Sequence, residues 1–519
     1  MNLAALTHGS AGLVLGWLWV CAGYGLGLWS AGAPPTRYGW TPLVAVPIGA
    51  LALLPAALVA GLLHGTGAGA VGRAIGALLT LVAFAFFVGR RAASGAEREW
   101  LRRGAVIAAS RPRALAPGWL TLAGLPVDPA DEAKHFKMIG TTGTGKSTAI
   151  HELLGAALAR GDRAVVADPD GGYAARHYDP SRGDLILNPF DPRSARWDPF
   201  RELRAPYDAD QLARSLIGDG QGAEQAWRGY AQTLVAALLF QLAEAPGDRL
   251  ASFLRLVTSA DLDELRALLG ETAAAALLEP GNERMFGSVR AVAVSRLAPL
   301  LYVREQRAPA ISVRDWVEHG RGVLFLPYRA DQIAALRLLV STWMRTAIFQ
   351  TMSQGESERR LWFIVDELDA LGAIDGLSDA LARLRKFGGR CVLGFQSIAQ
   401  VSGTYGAAHA HTIVENCANT LLLRCSASEG GGTAQFAARL VGEREIEREQ
   451  VSRSRAGGWW ARGAETVSRS RHRAVEPALL AAEIERLPDL EGYLKLASAP
   501  NWTRVMLRRP QALAAADLQ

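Results

Sequence analysis

Cysteine is nearly missing from this chain: 519 residues hold four, Cys21, Cys391, Cys417 and Cys425. None belongs to a C-x-x-C pair and no paired histidines stand near them, which argues against a disulfide framework and against a zinc site. They read as small apolar residues. Fixed charge is missing from the first 89 residues, which carry only Arg37 and Arg73. That stretch holds the apolar excess of a chain that is 50% hydrophobic with a mean hydropathy of +0.09. From Arg90 onward the composition is that of an ordinary globular protein. No Lys or Arg precedes the first apolar run, so the "AGA" at 31–33 lacks the basic segment of a cleavable export signal. Neither sign of charge dominates. A net charge of +6 and a pI near 9.3 permit a polyanionic partner without demanding one. The length predicts two to four domains.

What the opening segment does have is membrane-length apolar runs. A bilayer core needs roughly 20 apolar residues of helix. "AGLVLGWLWVCAGYGLGLWS" (11–30) and "PLVAVPIGALALLPAALVAGLL" (42–63) meet that length; "AIGALLTLVAFAFFVG" (74–89) is short unless Arg73 snorkels. Trp17, Trp19, Tyr24, Trp29 and Trp40 resemble interfacial aromatics. Arg90, Arg91, Arg98, Arg102 and Arg103 then cluster behind the last run, which places that end on the cytoplasmic side. Two or three spans are consistent with this pattern. Apart from Arg73, the runs lack the intramembrane ionisable residues of a transport pathway.

The clearest chemical signal is "HFKMIGTTGTGKST". The strand-like run Phe136–Ile139 enters a G-x-x-x-x-G-K-[ST] loop, and the following "TAIHELLGAALARGD" has helical spacing with Gly161 as its stop. Gly140, Thr141, Thr142, Gly143, Thr144, Gly145, Lys146, Ser147 and Thr148 form the expected phosphate cradle. Its glycines allow backbone N–H groups to turn onto a β-phosphate, and the helix N-terminus adds positive potential. Lys146 is expected to bridge β- and γ-phosphates and the Ser147 hydroxyl to ligate Mg²⁺. Downstream, "RLWFIVDELDAL" reads as a strand buried on both faces that ends in acid. Asp366 is expected to act on Mg²⁺ through water and Glu367 to polarise the attacking water. Asp369 reads as a solvated residue at a helix start.

Further on, "DALARLRKFGGRCVLGFQSIAQ" runs helix, glycine turn, strand. Gln396 falls at the strand's carboxyl end, where parallel α/β sheets bind ligands, and points toward the γ-phosphate region. Arg385 and Lys386 end the preceding helix. They fit either a cation on the helix dipole or an arginine finger reaching a neighbour's site.

These pieces together resemble the type IV coupling proteins of conjugation systems, the TraD/TrwB class. The stretches that carry the resemblance are "DALARLRKFGGRCVLGFQSIAQVSGTYG", "RGDRAVVADPDGG", "LILNPFDPRSARWDPF" and "IERLPDLEGYLKLASAPN". The resemblance implies a RecA-like P-loop NTPase, α/β in class, with an inserted all-α domain and an N-terminal transmembrane helical anchor. It implies a ring, six subunits in the expected case, in the bacterial inner membrane. It makes Arg385 the trans-acting finger and Gln396 the family glutamine. ATP and Mg²⁺ are the implied cofactors. The implied partners are single-stranded DNA with its attached relaxase and the type IV secretion channel.

On this reading 1–95 is the anchor, 96–205 the first part of the nucleotide-binding domain, 206–306 the all-α domain and 307–519 the remainder. The all-α assignment rests on residues as well. "AEQAWRGYAQTLVAALLFQLAEA" puts Trp227, Tyr230, Leu234, Leu238 and Leu242 on one face, and "TSADLDELRALLG" has Thr258 or Ser259 as N-cap and Gly270 as stop. The insert would face a DNA-bound partner or serve as structure alone. "EREIEREQ" (443–450) reads as solvated surface. "SRSRAGGWWARGAETVSRSRHR" (452–473) interleaves Arg453, Arg455, Arg462, Arg469, Arg471 and Arg473 with Trp459 and Trp460, which suits either a DNA contact or a solvated connector built as a hairpin or loose loop.

Three functions are expected in this order: an ATP-driven pump for single-stranded DNA, a docking receptor switched by nucleotide, and an FtsK-like double-stranded DNA translocase. The last would need a small DNA-reading domain beyond "VMLRRPQALAAADLQ", for which no room is expected.

Overall fold

The computed structural model describes residues 3–30, 35–67, 70–93, 98–110, 118–219, 224–356, 359–428, 431–455 and 465–508. The chain divides into two compact units, Met1–Arg103 with Glu445–Glu476, and Gly104–Arg444 with Pro477–Gln519.

In the first unit the apolar runs form three helices, Leu3–Ser30, Thr41–Gly65 and Ala70–Ala93. Among the described residues, two spans, Tyr38–Gly65 and Ala74–Arg91, are long and apolar enough to cross a membrane. Leu3–Ser30, which contains no Asp, Glu, Lys or Arg, packs along Ala70–Ala93 through glycines. A Cβ on Gly27 would lie 2.2 Å from the Phe86 carbonyl oxygen, and one on Gly89 would lie 2.3 Å from that of Tyr24. Backbone-to-backbone approach of this kind is what small residues permit between helices in lipid.

The same unit holds a three-stranded sheet with Glu443–Arg455 between Arg98–Gly104 and Glu465–Pro477. The charge-rich 443–450 is therefore solvated on one side only: Glu443, Arg448 and Gln450 are exposed, whereas Ile446, Glu447 and Glu449 are buried. Its acids are matched to arginines on the flanking strands, with Arg102 and Arg471 on Glu447 and Arg103 on Glu445. Period-two alternation was hidden by the charge, because cross-strand pairing rather than apolarity fills this face. The "SRSR" near-repeats are the arms of paired strands. Trp459, Trp460 and Arg462 lie outside the described residues.

The second unit is built on a ten-stranded sheet. Seven neighbouring strands run parallel, in the order Asn419–Leu422, Phe136–Ile139, Gly389–Phe395, Leu361–Val365, Arg163–Pro169, Val323–Tyr328 and Leu185–Ile186. Glu491–Lys495 adds antiparallel to Asn419–Leu422, and Trp502–Met506 adds antiparallel to Glu491–Lys495. All five side chains of Leu361–Val365 are buried, as the unbroken apolar run requires. Lys137, on the central strand Phe136–Ile139, is buried, and burial lowers its pKa. Its ammonium donates to the carbonyls of Val414, at 3.0 Å, and Cys417, where the helix Ala407–Asn416 ends and its dipole is negative.

The strand entering the phosphate loop and the strand ending in Asp366 are separated by one other, Gly389–Phe395. This is the RecA-like arrangement. It delivers Gln396 between the loop and the acids.

Helices between Pro206 and Glu305 form the insertion. Its neck is stapled by one buried carboxylate. Glu202 accepts from Trp197 Nε1 (2.8 Å) on the way in, and from Ser312 Oγ (2.9 Å) and the N–H groups of Val313 (2.6 Å) and Arg314 (3.1 Å) on the way out. Leu234, Leu238 and Leu242 are buried as expected, whereas Trp227 and Tyr230 are exposed and meet edge-on at 6.2 Å. The N-cap at 261 also corrects the expectation. Asp261 accepts from Glu264 N, while the Thr258 and Ser259 hydroxyls bond back into the helix Arg249–Ser259 that they close.

Candidate nucleotide site

The loop after Phe136–Ile139 needs glycine for two separate reasons. Gly143 and Gly145 have φ of +78° and +117°, in the left-handed region. Gly140 is crowded: a Cβ there would lie 2.8 Å from Thr144 Oγ1 and 2.9 Å from Leu423 Cβ. Lys146 opens the helix Lys146–Ala159, whose Ile150, Leu153 and Leu154 are fully buried against the sheet. Gly161, at φ +87°, ends the turn that follows it. The Lys146 ammonium donates to Gly140 O at 2.6 Å and Thr141 O at 3.2 Å. Burial lowers its pKa, and the nearby Asp366 and Glu367 charges oppose that.

Beside it, Ser147 Oγ donates to Asp366 Oδ2 at 2.6 Å. Asp366 is buried, and its other oxygen, Oδ1, has no hydrogen-bond partner among the described residues. A buried carboxylate oxygen left without a donor, next to a serine hydroxyl at a helix start, fits an oxygen-ligated Mg²⁺. Ser147 and Asp366 are the residues placed to hold it.

The third element is a polar relay. Thr142 Oγ1 donates to Gln396 Oε1 at 2.9 Å, and Gln396 Nε2 donates to Glu367 Oε1 at 2.5 Å. The amide thus ties the tip of the phosphate loop to the second acid. Glu367 is half-buried; burial raises its pKa, and the Asp366 and Asp369 charges add to this. Asp369 is not at a helix start. It lies in a turn, half-buried, with a carboxylate oxygen lacking a partner among the described residues, and the next helix begins only at Leu377. The turn is held by Leu368 N donating to Gly394 O at 2.9 Å.

A cavity of about 370 Å³ collects these groups: Thr142, Gly143, Gly145, Lys146, Ser147, Thr148, Asp366, Glu367 and Gln396 all line it. Arg385 does not. It is exposed and begins the turn before Gly389, at the amino end of the strand whose carboxyl end carries Gln396. Seven extended residues put the two roughly 23 Å apart. Lys386 is exposed beside it.

Sequence reasoning missed Tyr173, whose buried hydroxyl donates to Asp366 Oδ2 at 2.8 Å. Asp168, at the end of the strand Arg163–Pro169, fixes its position by accepting from Tyr173 N (2.9 Å) and Ala174 N (2.7 Å). Burial pushes the Asp168 pKa up to about 6 in spite of those donors. His151 stacks on the Tyr173 ring at 4.4 Å and pairs with His177 at 3.0 Å. Burial holds both histidines near 4, hence neutral at physiological pH. The available signal was "ADPDGGY", a strand end on the ligand edge of the sheet. Tyr173→Phe removes a donor from the carboxylate expected to orient the metal. We expect the Mg²⁺ concentration for half-maximal turnover to rise roughly tenfold, with ATP affinity little changed. Titrating Mg²⁺ against ATPase rate checks this.

The family model for the type IV secretion-system coupling protein DNA-binding domain matches residues 119–508. The chain is similar to the coupling protein TraD of Escherichia coli (strain K12), with 31% identity over 389 residues, 73% of this chain and 53% of that protein. It is also similar to the conjugal transfer protein TraG of Escherichia coli, at 26% identity over 409 residues, 68% of this chain and 62% of that protein. The chain thus spans between about half and three-fifths of the length of these relatives. Among solved structures, the plasmid coupling protein TrwB in complex with ADP and Mg²⁺ is similar, with a TM-score of 0.68 and 31% identity over 79% of this chain and 95% of that one.

Proposed function

This chain belongs to the type IV secretion-system coupling proteins, and from that premise we propose that it is a membrane-anchored ATPase that recruits a relaxase–DNA complex and drives single-stranded DNA toward a secretion channel. One observation carries the reading: a single cavity gathers the phosphate loop, the Ser147–Asp366 pair and the Thr142–Gln396–Glu367 relay. Lys146 and the loop N–H groups grip the β- and γ-phosphates of ATP. Ser147 and Asp366 would hold Mg²⁺, which when bound would offset charge on those phosphates. Glu367 orients the attacking water and takes its proton, and Gln396 holds Glu367 against the loop. The products are ADP and phosphate.

The guanidinium that completes this chemistry is Arg385 of an adjacent subunit, because in its own chain Arg385 lies at the far end of the sheet from the site. The working unit is therefore a ring, proposed as a homo-hexamer in the bacterial inner membrane. Arg90 and Arg91 at the end of Ala70–Ala93 favour a cytoplasmic site, where ATP is available. The relatives TraD and TraG and the structure of TrwB with ADP and Mg²⁺ support this reading.

With the full chain in detergent, single-stranded DNA is expected to raise the ATPase rate several-fold. Arg385→Ala lowers the stimulated rate by about 10³-fold. Mixing Arg385→Ala with Lys146→Ala subunits restores a fraction of it, since one supplies the guanidinium and the other the pocket. Indifference to DNA removes the motor reading; failure to complement removes the trans role.

A further inference from the structure

A second and larger cavity, about 680 Å³, opens between the helical insertion and the sheet-bearing part of the same unit. Its walls bring five arginines together. Arg214, Arg228 and Arg296 come from three helices of the insertion; Arg337 and Arg345 come from the helix Ile333–Ser353. Three aspartates face them, Asp219, Asp375 and Asp379, and Glu224 pairs with Arg228, which leaves a surplus of one positive charge.

The arginines fall into two classes. Arg345 is committed to the fold: it is buried and bonded to Ser215 Oγ (2.9 Å), Gln211 Oε1 (2.8 Å) and Asp375 (3.2 Å). Arg228 is committed to Glu224 and the Asp219 carbonyl. Arg214, Arg296 and Arg337 have no hydrogen-bond or ion-pair acceptor among the described residues. Arg296 is half-buried, with the like charge of Arg228 beside it and Glu224 opposing, whereas Arg214 and Arg337 are exposed. Gathering guanidiniums in a partly desolvated cleft is unfavourable without an anion between them.

We propose that this cleft binds phosphate groups. Guanidiniums match phosphate oxygens as two-pronged donors. Tyr405 and His409 are the aromatic side chains lining the cleft among the described residues, and the Tyr405 hydroxyl already serves Ile374 N at 3.3 Å. A bound strand would therefore be gripped by its backbone without stacking of its bases, and without sequence preference. The opposite wall is Leu371–Asp379, which begins five residues beyond Asp366. Gly372, at φ +71°, lets this wall pass against the Arg337 arm, whose Cδ would be 3.3 Å from a Cβ there. Occupancy of the cleft thus bears on the segment that carries the acid pair. A backbone phosphate of a DNA strand and a free polyphosphate share this chemistry; the first source rests on the proposed DNA cargo, the second does not.

The test uses the full chain and the pair Arg296→Ala/Arg337→Ala, with Arg296→Lys/Arg337→Lys as the charge-conserving control and thermal melts to confirm folding. Binding of a labelled oligothymidylate is followed across salt, and inorganic pyrophosphate is titrated calorimetrically in a Lys146→Ala background, which silences the phosphate loop. If DNA is the source, the alanine pair flattens the log–log salt slope by about 0.7 per lost contact, the lysine pair restores most of it, and basal ATPase is unchanged. If free polyphosphate is the source, the DNA slope holds and pyrophosphate binding is lost. Should the wild type bind no DNA, the cargo reading fails and the pyrophosphate titration still decides the cleft. Unchanged slope together with unchanged pyrophosphate binding overturns the proposal, as does displacement of either probe by poly-glutamate as readily as by unlabelled DNA.

Discussion

Lys146→Ala lowers ATP turnover by roughly 10³-fold while the fold persists. The ammonium sits at the mouth of the loop, 2.6 Å from Gly140 O, and it is the cation in the cavity placed to meet the β- and γ-phosphates. Truncation removes charge where it builds up during phosphoryl transfer. Stability changes little, because the lost hydrogen bonds are offset by relief of a buried charge whose pKa is already depressed by desolvation. Phosphate release measured beside a thermal melt checks both halves. Wild-type turnover in this variant would show that the loop is not the phosphate grip.

The second large effect is expected from Glu367→Gln: a fall of roughly 10² to 10⁴ in turnover with nucleotide binding intact. Glutamine keeps the carbonyl oxygen that accepts from Gln396 and loses the basic site. The same change separates motor from receptor. A pump driven by hydrolysis stops transferring DNA, whereas a docking receptor locked with ATP continues. The pH profile gives an independent check. Burial raises the Glu367 pKa, with Asp366 and Asp369 adding to it, so the unprotonated base is lost at a higher pH than for an ordinary carboxylate. The acid limb of the rate profile is displaced upward in the wild type and disappears in Glu367→Gln.

The parts of the site that were legible in the sequence are those that the backbone specifies locally. A strand, a glycine loop and a helix start lie within 14 consecutive residues, "HFKMIGTTGTGKST", and an unbroken apolar run announces the strand that ends in Asp366. Tyr173 was not legible, since the acid that its hydroxyl serves lies 193 residues on, and Asp168, bonded to the N–H groups of Tyr173 and Ala174, bears on the site only through that tyrosine. The arginine cleft was hidden for the same reason: its walls come from distant helices, each reading alone as an ordinary charged face. The 443–450 stretch misled because its burial depends on arginines from Arg98–Gly104 and Glu465–Pro477 rather than on apolar residues. The cap at 261 was displaced from Thr258 or Ser259 because those hydroxyls serve the helix before it.

The strand Gly389–Phe395 has a further bearing. Extended backbone bonded on both sides behaves as a stiff rod, and this one leads from Gln396, bonded to Thr142 of the phosphate loop, at one tip to the Arg385 turn at the other. A tug at the first tip, when the terminal phosphate departs, arrives at the second with little loss. In the proposed ring, firing order would then be set by one piece of polypeptide, with no separate messenger between neighbours.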